Sequence, residues 1–429
     1  MKPRAPEGAI DDSADPPPAL RSRRGHLLIV ADHPSSTRYA WDFIGDLYAR
    51  IARRLHADGI RVTLAFPRLD GVHASVRAAP IETVELAWPR RTDPRPIREF
   101  IRAEQVSALY LTDREAWDPR FLLLRASGVR TIFLHDHTSG SRSRPTLPAS
   151  IVKRALRAIP GTTADFVIAV SEFVASRHRE VECLPADRVE VVPNSILPPD
   201  QPVSEDRRRA IRRHFSIPET ALVIASAGRI IPEKGFHHLI QAFEALPDQV
   251  TGESGEVQPI HLLCLGEGGY MDELLGLRET LSSRARIHLP GYVPEASGVL
   301  GATDITVVPS IWAEAFGLSA LETMASGVPV VVSDIGGLRE VVRDGVDGRR
   351  VPAGSTASLR EALAELISDP FRRREMGAAG RKRARSEFSR ERQVARIIDI
   401  LYRSPGLRPQ HRSTGPGRGQ RAGRPSGRS

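Results

Sequence analysis

Cysteine is nearly missing from this chain. Its 429 residues contain only Cys183 and Cys264, far apart and without CxxC spacing, which leaves neither a disulfide framework nor a zinc signature and fits a reducing, cytosolic setting. No apolar run approaches the roughly 18 residues that a membrane-spanning helix needs. The start, MKPRAPEGAIDDSADPPP, lacks the apolar stretch of a secretory signal. Any membrane contact is therefore expected to be peripheral. No repeat of 20–50 residues is present, and 41% hydrophobic with 26% charged residues excludes collagen, coiled coil and wholesale disorder.

Acidic charge is scarce at one end only. The formal net charge is +9, yet residues 402–429 hold seven arginines and no acid, and residues 1–24 hold five basic and four acidic groups, so residues 25–401 carry about +1. A near-neutral body with a basic tail does not suit a fold built around tracking nucleic-acid phosphates, and no specific nucleic-acid partner is expected. Both ends, 1–24 and 403–429, are rich in Pro, Gly, Ser and Arg and read as disordered tails.

Between the tails, short apolar runs alternate with segments of helical period, the pattern of parallel sheets covered by helices. Strands are expected near 26–31, 61–66, 108–111, 131–134 and 166–170, with an amphipathic helix near 44–58 bearing Leu47, Ile51 and Leu55. The segment Pro193-Asn194-Ser195-Ile196-Leu197-Pro198-Pro199 interrupts the alternation. It places a first domain at 25–195, a linker at 196–208 and a second domain at 209–385, where the alternation restarts. A last helix, 386–402, has Val394, Ile397, Ile398 and Leu401 at helical spacing. Two Rossmann-like, doubly wound α/β domains would face each other across a cleft at the carboxyl ends of their strands, where such folds bind ligands.

The richest stretch is Pro309 to Glu322, PSIWAEAFGLSALE. Glu314 falls in a loop and is able to accept hydrogen bonds from sugar hydroxyls. Gly317, with Phe316 and Leu318 beside it, opens a helix whose N–H groups suit a phosphate or sugar oxygen. Glu322, in the first turns of that helix, is placed for ribose hydroxyls. Taken alone, the two glutamates read rather as a surface loop acid and a helix-surface acid. In AGRIIPEKGF, Arg229 and Lys234 stand where a strand passes into a helix, a poor place for two cations unless an anion sits among them. Gly266, in the turn GEGGY, is a short Gly-rich element but no full dinucleotide fingerprint.

The run PSIWAEAFGLSALETMASGVPVVVSDIGGLREVVRDGVDGRRVPAGS resembles the signature of retaining family 4, group 1 type glycosyltransferases of the GT-B fold, including the E-x7-E pair Glu314 and Glu322. The resemblance extends to AGRIIPEKGF, LLCLGEGG and PGYV, and more weakly to VSEFV and VVPNSI. It implies that Arg229 and Lys234 clamp a donor diphosphate, that Glu314 positions the sugar, and that main-chain groups near Val293 meet the base. His135, at the end of a strand, matches a histidine that relatives place beside the transferred sugar. A metal on His135, Asp136 and His137 is disfavoured, because adjacent strand residues point to opposite faces, so no metal and no cofactor are expected. One departure is that the Gly-Gly pair usual after the first strand is absent; Ser35, Ser36 and Thr37 stand there instead. Gly336, Gly337 and Glu340 read as loop and structural residues.

Residues 137–164 contain no acid, while Arg142, Arg144, Lys153, Arg154 and Arg157 lie among Leu147, Ile151, Val152, Leu156 and Ile159. This segment suits anionic lipid or a lipid-linked diphosphate, or it packs its apolar face on its own domain. The expectation is therefore an enzyme moving a sugar from a nucleotide-diphosphate donor to a hydroxyl of a carbohydrate or lipid-linked acceptor, cytoplasmic and at most peripheral to the membrane. The competing readings are a sugar-nucleotide epimerase on the same fold and a non-catalytic nucleotide-sugar-binding module.

Overall fold

Runs such as GHLLIV and ALYLT are apolar on both strand faces, which only a sheet covered on both sides can bury. In the computed structural model they do so: Leu27, Leu28, Ile29 and Val30 are all fully buried. The structure describes residues 25–35, 41–88, 94–199 and 201–408. The segments 1–24 and 409–429, with Ser36 and Thr37, lie outside the described residues.

The first domain holds seven strands: β1 (Gly25–Val30), β2 (Ile60–Phe66), β3 (Glu82–Glu85), β4 (Ala108–Thr112), β5 (Thr131–Asp136), β6 (Phe166–Ala169) and β7 (Val189–Val191). They form one parallel sheet in the order β3-β2-β1-β4-β5-β6-β7. The second domain holds β8 (Leu222–Ala227), β9 (Gln249–Thr251), β10 (Val257–Leu265), β11 (Ile287–Gly291), β12 (Ile305–Val308), β13 (Val330–Ser333) and β14 (Gly348–Val351). Its parallel order is β11-β10-β8-β12-β13-β14, with β9 added antiparallel to β10. In each sheet the winding direction reverses beside the first strand, between β1 and β4 and between β8 and β12, and such switch points are where open α/β sheets bind ligands.

The helix Arg390–Leu401 belongs spatially to the first domain. Ser389 caps it by accepting from the Arg392 N–H. Ile397, Ile398 and Leu401 join the cluster of Leu47, Ile51 and Leu55 on the helix Trp41–Ala57. Ser195 Oγ donates to Gln393 Oε1 at 2.6 Å, and Ile196 N to the Phe388 carbonyl, so the chain leaving the first domain is fastened to the chain returning to it.

Two boundaries differ from the sequence reading. The first domain includes residues past 403: Ser404 and Leu407 are buried, Leu407 among first-domain aliphatics. The linker is also shorter than 196–208, since the helix Glu205–His214 begins inside it, capped by Ser204 with acids in its first turn and basic residues in its last.

Candidate active site

The carboxyl ends of β8, β10 and β11 are knitted together by their main chains. Gly228 N donates to the Leu265 carbonyl, Ile230 N to that of Glu267, and Gly266 N to that of Gly291. Gly266 has φ +137°, and a Cβ there would lie 1.8 Å from the Gly228 oxygen, so only glycine permits this approach. Val293, partly buried, follows the same junction.

Across the β8–β12 switch point stand the charged groups. Glu314 Oε1 accepts from Lys234 Nζ at 2.5 Å and from Ser310 Oγ at 2.6 Å, and its side chain is 13% exposed. The Glu314 carbonyl accepts from Gly337 N, which gives Gly337 a part in holding the glutamate that its sequence did not announce. The Arg229 side chain is exposed and makes no hydrogen bond or ion pair among the described residues. The helix Leu318–Ser326 starts at Gly317, φ +108°, with no side chain capping it, which leaves its first N–H groups for an anion. Arg229, Lys234, Glu314 and an uncapped helix start are thus carried by the two strands that flank the reversal.

Glu322, four residues into that helix, is mostly buried, and burial pushes its pKa up to about 7. It lines a cavity of about 360 Å³ between the domains, together with Phe43, Leu197, Ser297, Gly298 and Arg390. Phe316 does not meet this space with its ring, which is 3% exposed and packs edge-on against Phe388 at 5.7 Å; only its main chain is available to a ligand. Leu318 is partly buried against the same core.

In the first domain the histidines differ from expectation. His135 is fully buried, with Nδ1 2.6 Å from the Tyr110 hydroxyl, and burial together with neighbouring His137 lowers its pKa well below the usual value. His137 shares its strand face, the rings 4.0 Å apart, and its side chain is 14% exposed. His137, two residues nearer the strand's carboxyl end, is the less buried of the two, although both of its ring nitrogens are buried. Asp136 points the other way, accepting from Arg177 Nη2 at 2.7 Å and His178 Nε2 at 2.6 Å. Burial opposes its charge, but these bonds outweigh burial and hold the carboxyl well below its usual range. His135, Asp136 and His137 therefore do not converge on one point.

A set of contacts between the domains went unseen in the sequence. Gly140 N donates to the Ala313 carbonyl at 2.7 Å, Ala315 N donates to Ser139 Oγ at 3.0 Å, and Ser171 Oγ donates to the Ala315 carbonyl at 2.6 Å. Glu340 accepts from Glu172 N and Phe173 N at the start of the helix Glu172–Ser176. Gly140 has φ +102°, and a Cβ there would lie 2.4 Å from the Trp312 ring. These bonds bracket Glu314 on both sides. The weak signal was VSEFV, which contains Ser171; nothing marked Ser139, Gly140 or Glu340 as its partners.

Comparison with known proteins agrees with this geometry. Residues 207–383 match the family Glycosyl transferases group 1, and residues 47–197 match Glycosyltransferase Family 4. A GDP-mannose-dependent monoacylated alpha-(1-6)-phosphatidylinositol monomannoside mannosyltransferase of Corynebacterium glutamicum is 31% identical over 410 residues, 90% of this chain and 100% of that protein. The chain belongs to the group 1 glycosyltransferases. A D-inositol 3-phosphate glycosyltransferase of Xylanimonas cellulosilytica is 32% identical over 259 residues, 57% of this chain and 60% of that protein. Among solved structures, a glycosyltransferase from Rickettsia africae superposes with a TM-score of 0.71 at 18% identity, covering 88% of this chain and 98% of that one. Anabaena HepE, in complex with UDP and glucose, superposes with a TM-score of 0.68 at 19% identity, covering 88% and 100%. The fold of this glycosyltransferase is GT-B. Among its described residues no helix is long and apolar enough to cross a membrane.

Proposed function

We propose that this glycosyltransferase moves a sugar from a nucleoside-diphosphate donor to a hydroxyl of a glycan or lipid-linked acceptor in the cytoplasm, with retention at the anomeric carbon. The observation that carries the reading is the Lys234–Glu314 pair facing free Arg229 and the uncapped helix start across the β8–β12 switch point. Arg229, Lys234 and the N–H groups after Gly317 hold the diphosphate and stabilise the charge that grows on it as the bond to the sugar breaks. Glu314 accepts hydrogen bonds from the sugar, and Glu322 from the ribose. The acceptor oxygen bonds to the anomeric carbon on the face the diphosphate leaves, and the departing phosphate oxygen takes the acceptor's proton. No metal is needed in this scheme. His135 and His137, packed ring to ring at the carboxyl end of β5, stand on the acceptor side.

The full-length similarity to a GDP-mannose-dependent enzyme makes GDP-mannose the first donor to test, with UDP-glucose second. Incubation with each donor and a panel of phosphoinositol and glycan acceptors, read by NMR of the new anomeric proton, is expected to give a product of the donor's own configuration. Free nucleotide with a modified sugar and no acceptor product would instead identify an epimerase.

A further inference from the structure

Glu340 stands outside the donor site, yet its carboxylate crosses from the second domain to the first. One oxygen accepts from Glu172 N at 2.7 Å and the other from Phe173 N at 2.8 Å, while the Glu172 carboxylate is itself engaged by Arg179. Bonds from main-chain N–H groups to an ionised carboxylate are charge-assisted and stronger than neutral ones. Beside these donors, Ser171 Oγ donates to the Ala315 carbonyl. The first-domain segment 171–173 therefore holds the second domain at two points, the loop of Glu314 and the side chain of Glu340.

The main chain of Glu340 is fixed within its own domain. On the helix Pro370–Glu387, Arg383 donates from Nη2 to the Glu340 carbonyl at 2.9 Å and from Nη1 to the Val341 carbonyl at 2.6 Å, and its guanidinium lies over the Phe388 ring. A few residues earlier the same segment lies against the main chain of Glu314. Gly337 N donates to the Glu314 carbonyl at 2.8 Å. A Cβ on Gly336 would lie 2.4 Å from the Glu314 oxygen, and one on Gly337 would lie 2.4 Å from the Ala315 oxygen, so the two backbones meet only because both residues are glycine. The segment 336–340 is thus a short brace with one end on the Glu314 main chain and the other on the first domain.

We infer that Glu340 is a positioning residue for sugar transfer: it ties the segment against which Glu314 rests to the first domain, so that the placement of Glu314 depends on the two domains being docked. The inference rests on the role proposed for Glu314 at the donor sugar. Capping of the short helix Glu172–Ser176 does not account for the arrangement, because Ser171 Oγ already accepts from Val174 N at its start. Glu340 touches neither the diphosphate clamp nor Glu322, so its loss falls on turnover and leaves donor affinity nearly as it was.

The test compares wild type with Glu340→Ala, with Glu340→Gln and with Arg339→Ala as a control, which removes an exposed contact to the Asp334 carbonyl inside the second domain. At saturating donor, Glu340→Ala is expected to lower kcat by about tenfold or more. Its donor Kd by calorimetry and its melting temperature should stay close to those of wild type. Glu340→Gln, which keeps one accepting oxygen, should fall between the two, and Arg339→Ala should match wild type. Hydrogen exchange read by mass spectrometry is independent of turnover: the amides of 310–316 should exchange faster in Glu340→Ala than in wild type, together with those of 172–174. Unchanged exchange at 310–316, or a kcat equal to that of wild type, would overturn the inference, as would a kcat loss that only follows a fall in melting temperature. Those results in an enzyme that binds and transfers its donor remove this inference alone. Failure of the wild type to bind any donor removes the functional reading, and the exchange result still decides whether Glu340 ties the two segments.

Discussion

The role we propose for Glu322 at the donor ribose sets it against stability, and the conflict is measurable. Burial raises its carboxyl from 4.5 to about 7 in the folded protein. A folded-state acid with a raised pKa favours the protonated form, so ionisation costs stability as pH rises above the unfolded value, up to the folded one. Each tenfold weakening of the acid corresponds to about 1.4 kcal/mol, so the penalty is fully developed near pH 8 at about 3 kcal/mol, below about 1 kcal/mol at pH 5, and absent below about pH 4. Glu322→Gln removes the charge and keeps the shape. The variant should therefore melt several degrees higher than wild type at pH 8, by roughly 2–4 °C per kcal/mol for a domain of this size, with the difference shrinking toward pH 5. Donor affinity should move oppositely: only the ionised carboxylate accepts from two ribose hydroxyls, so wild-type affinity should fall as pH drops below 7, and the variant should bind weakly at every pH. Differential scanning calorimetry across pH 5–8 with and without donor reads both. A melting difference independent of pH, or none at pH 8, would refute the reasoning.

Three further outcomes follow from the same contacts. Ser171→Ala removes a 2.6 Å bond to the Ala315 carbonyl beside Glu314; a lost buried bond of this kind is worth about 1–2 kcal/mol, so kcat/KM should fall roughly 5- to 30-fold while steady-state kinetics show donor binding less affected. Burial works to lower the His178 pKa, but its bonds to Asp136 and Glu182 prevail and raise it to about 9; its contribution is fully present below pH 6.5 and lost as pH rises through 9, so His178→Phe should flatten the alkaline arm of a thermal-melt profile. Ile398→Ala deletes a side chain buried against the helix Trp41–Ala57 and should cost about 2–5 kcal/mol, lowering the first domain's melting although it lies at the chain's far end.

The second domain was the more legible in sequence because its chemistry is local. Glu314, Gly317 and Glu322 occupy one loop and the helix that follows it, and Arg229 and Lys234 one turn, so two short runs resembling the family signature marked them all. The strands β3 and β14 escaped notice for a physical reason: ETVE and GRRV are short and polar, paired on one side only at the sheet margins, and lack the apolar run that betrays β1 or β4. The first domain's part of the site was less readable. His135 and His137 share a strand face, and how deeply each is buried depends on how far the strand extends, a tertiary matter. Ser139 and Glu340 act through partners more than a hundred residues away, as does Ser171 beyond capping its own helix, and no local pattern encodes such a pairing. The helix Leu147–Ala158 shows the same limit, since its period gave two faces and the domain buries no residue of either.

The most direct test of the central claim is calorimetric titration of GDP-mannose and UDP-glucose into the full chain and into Arg229→Ala and Glu322→Ala. Binding of one donor by the wild type, weakened at least tenfold in each variant, is the predicted result. Undiminished binding in both variants would place the donor elsewhere and contradict the account.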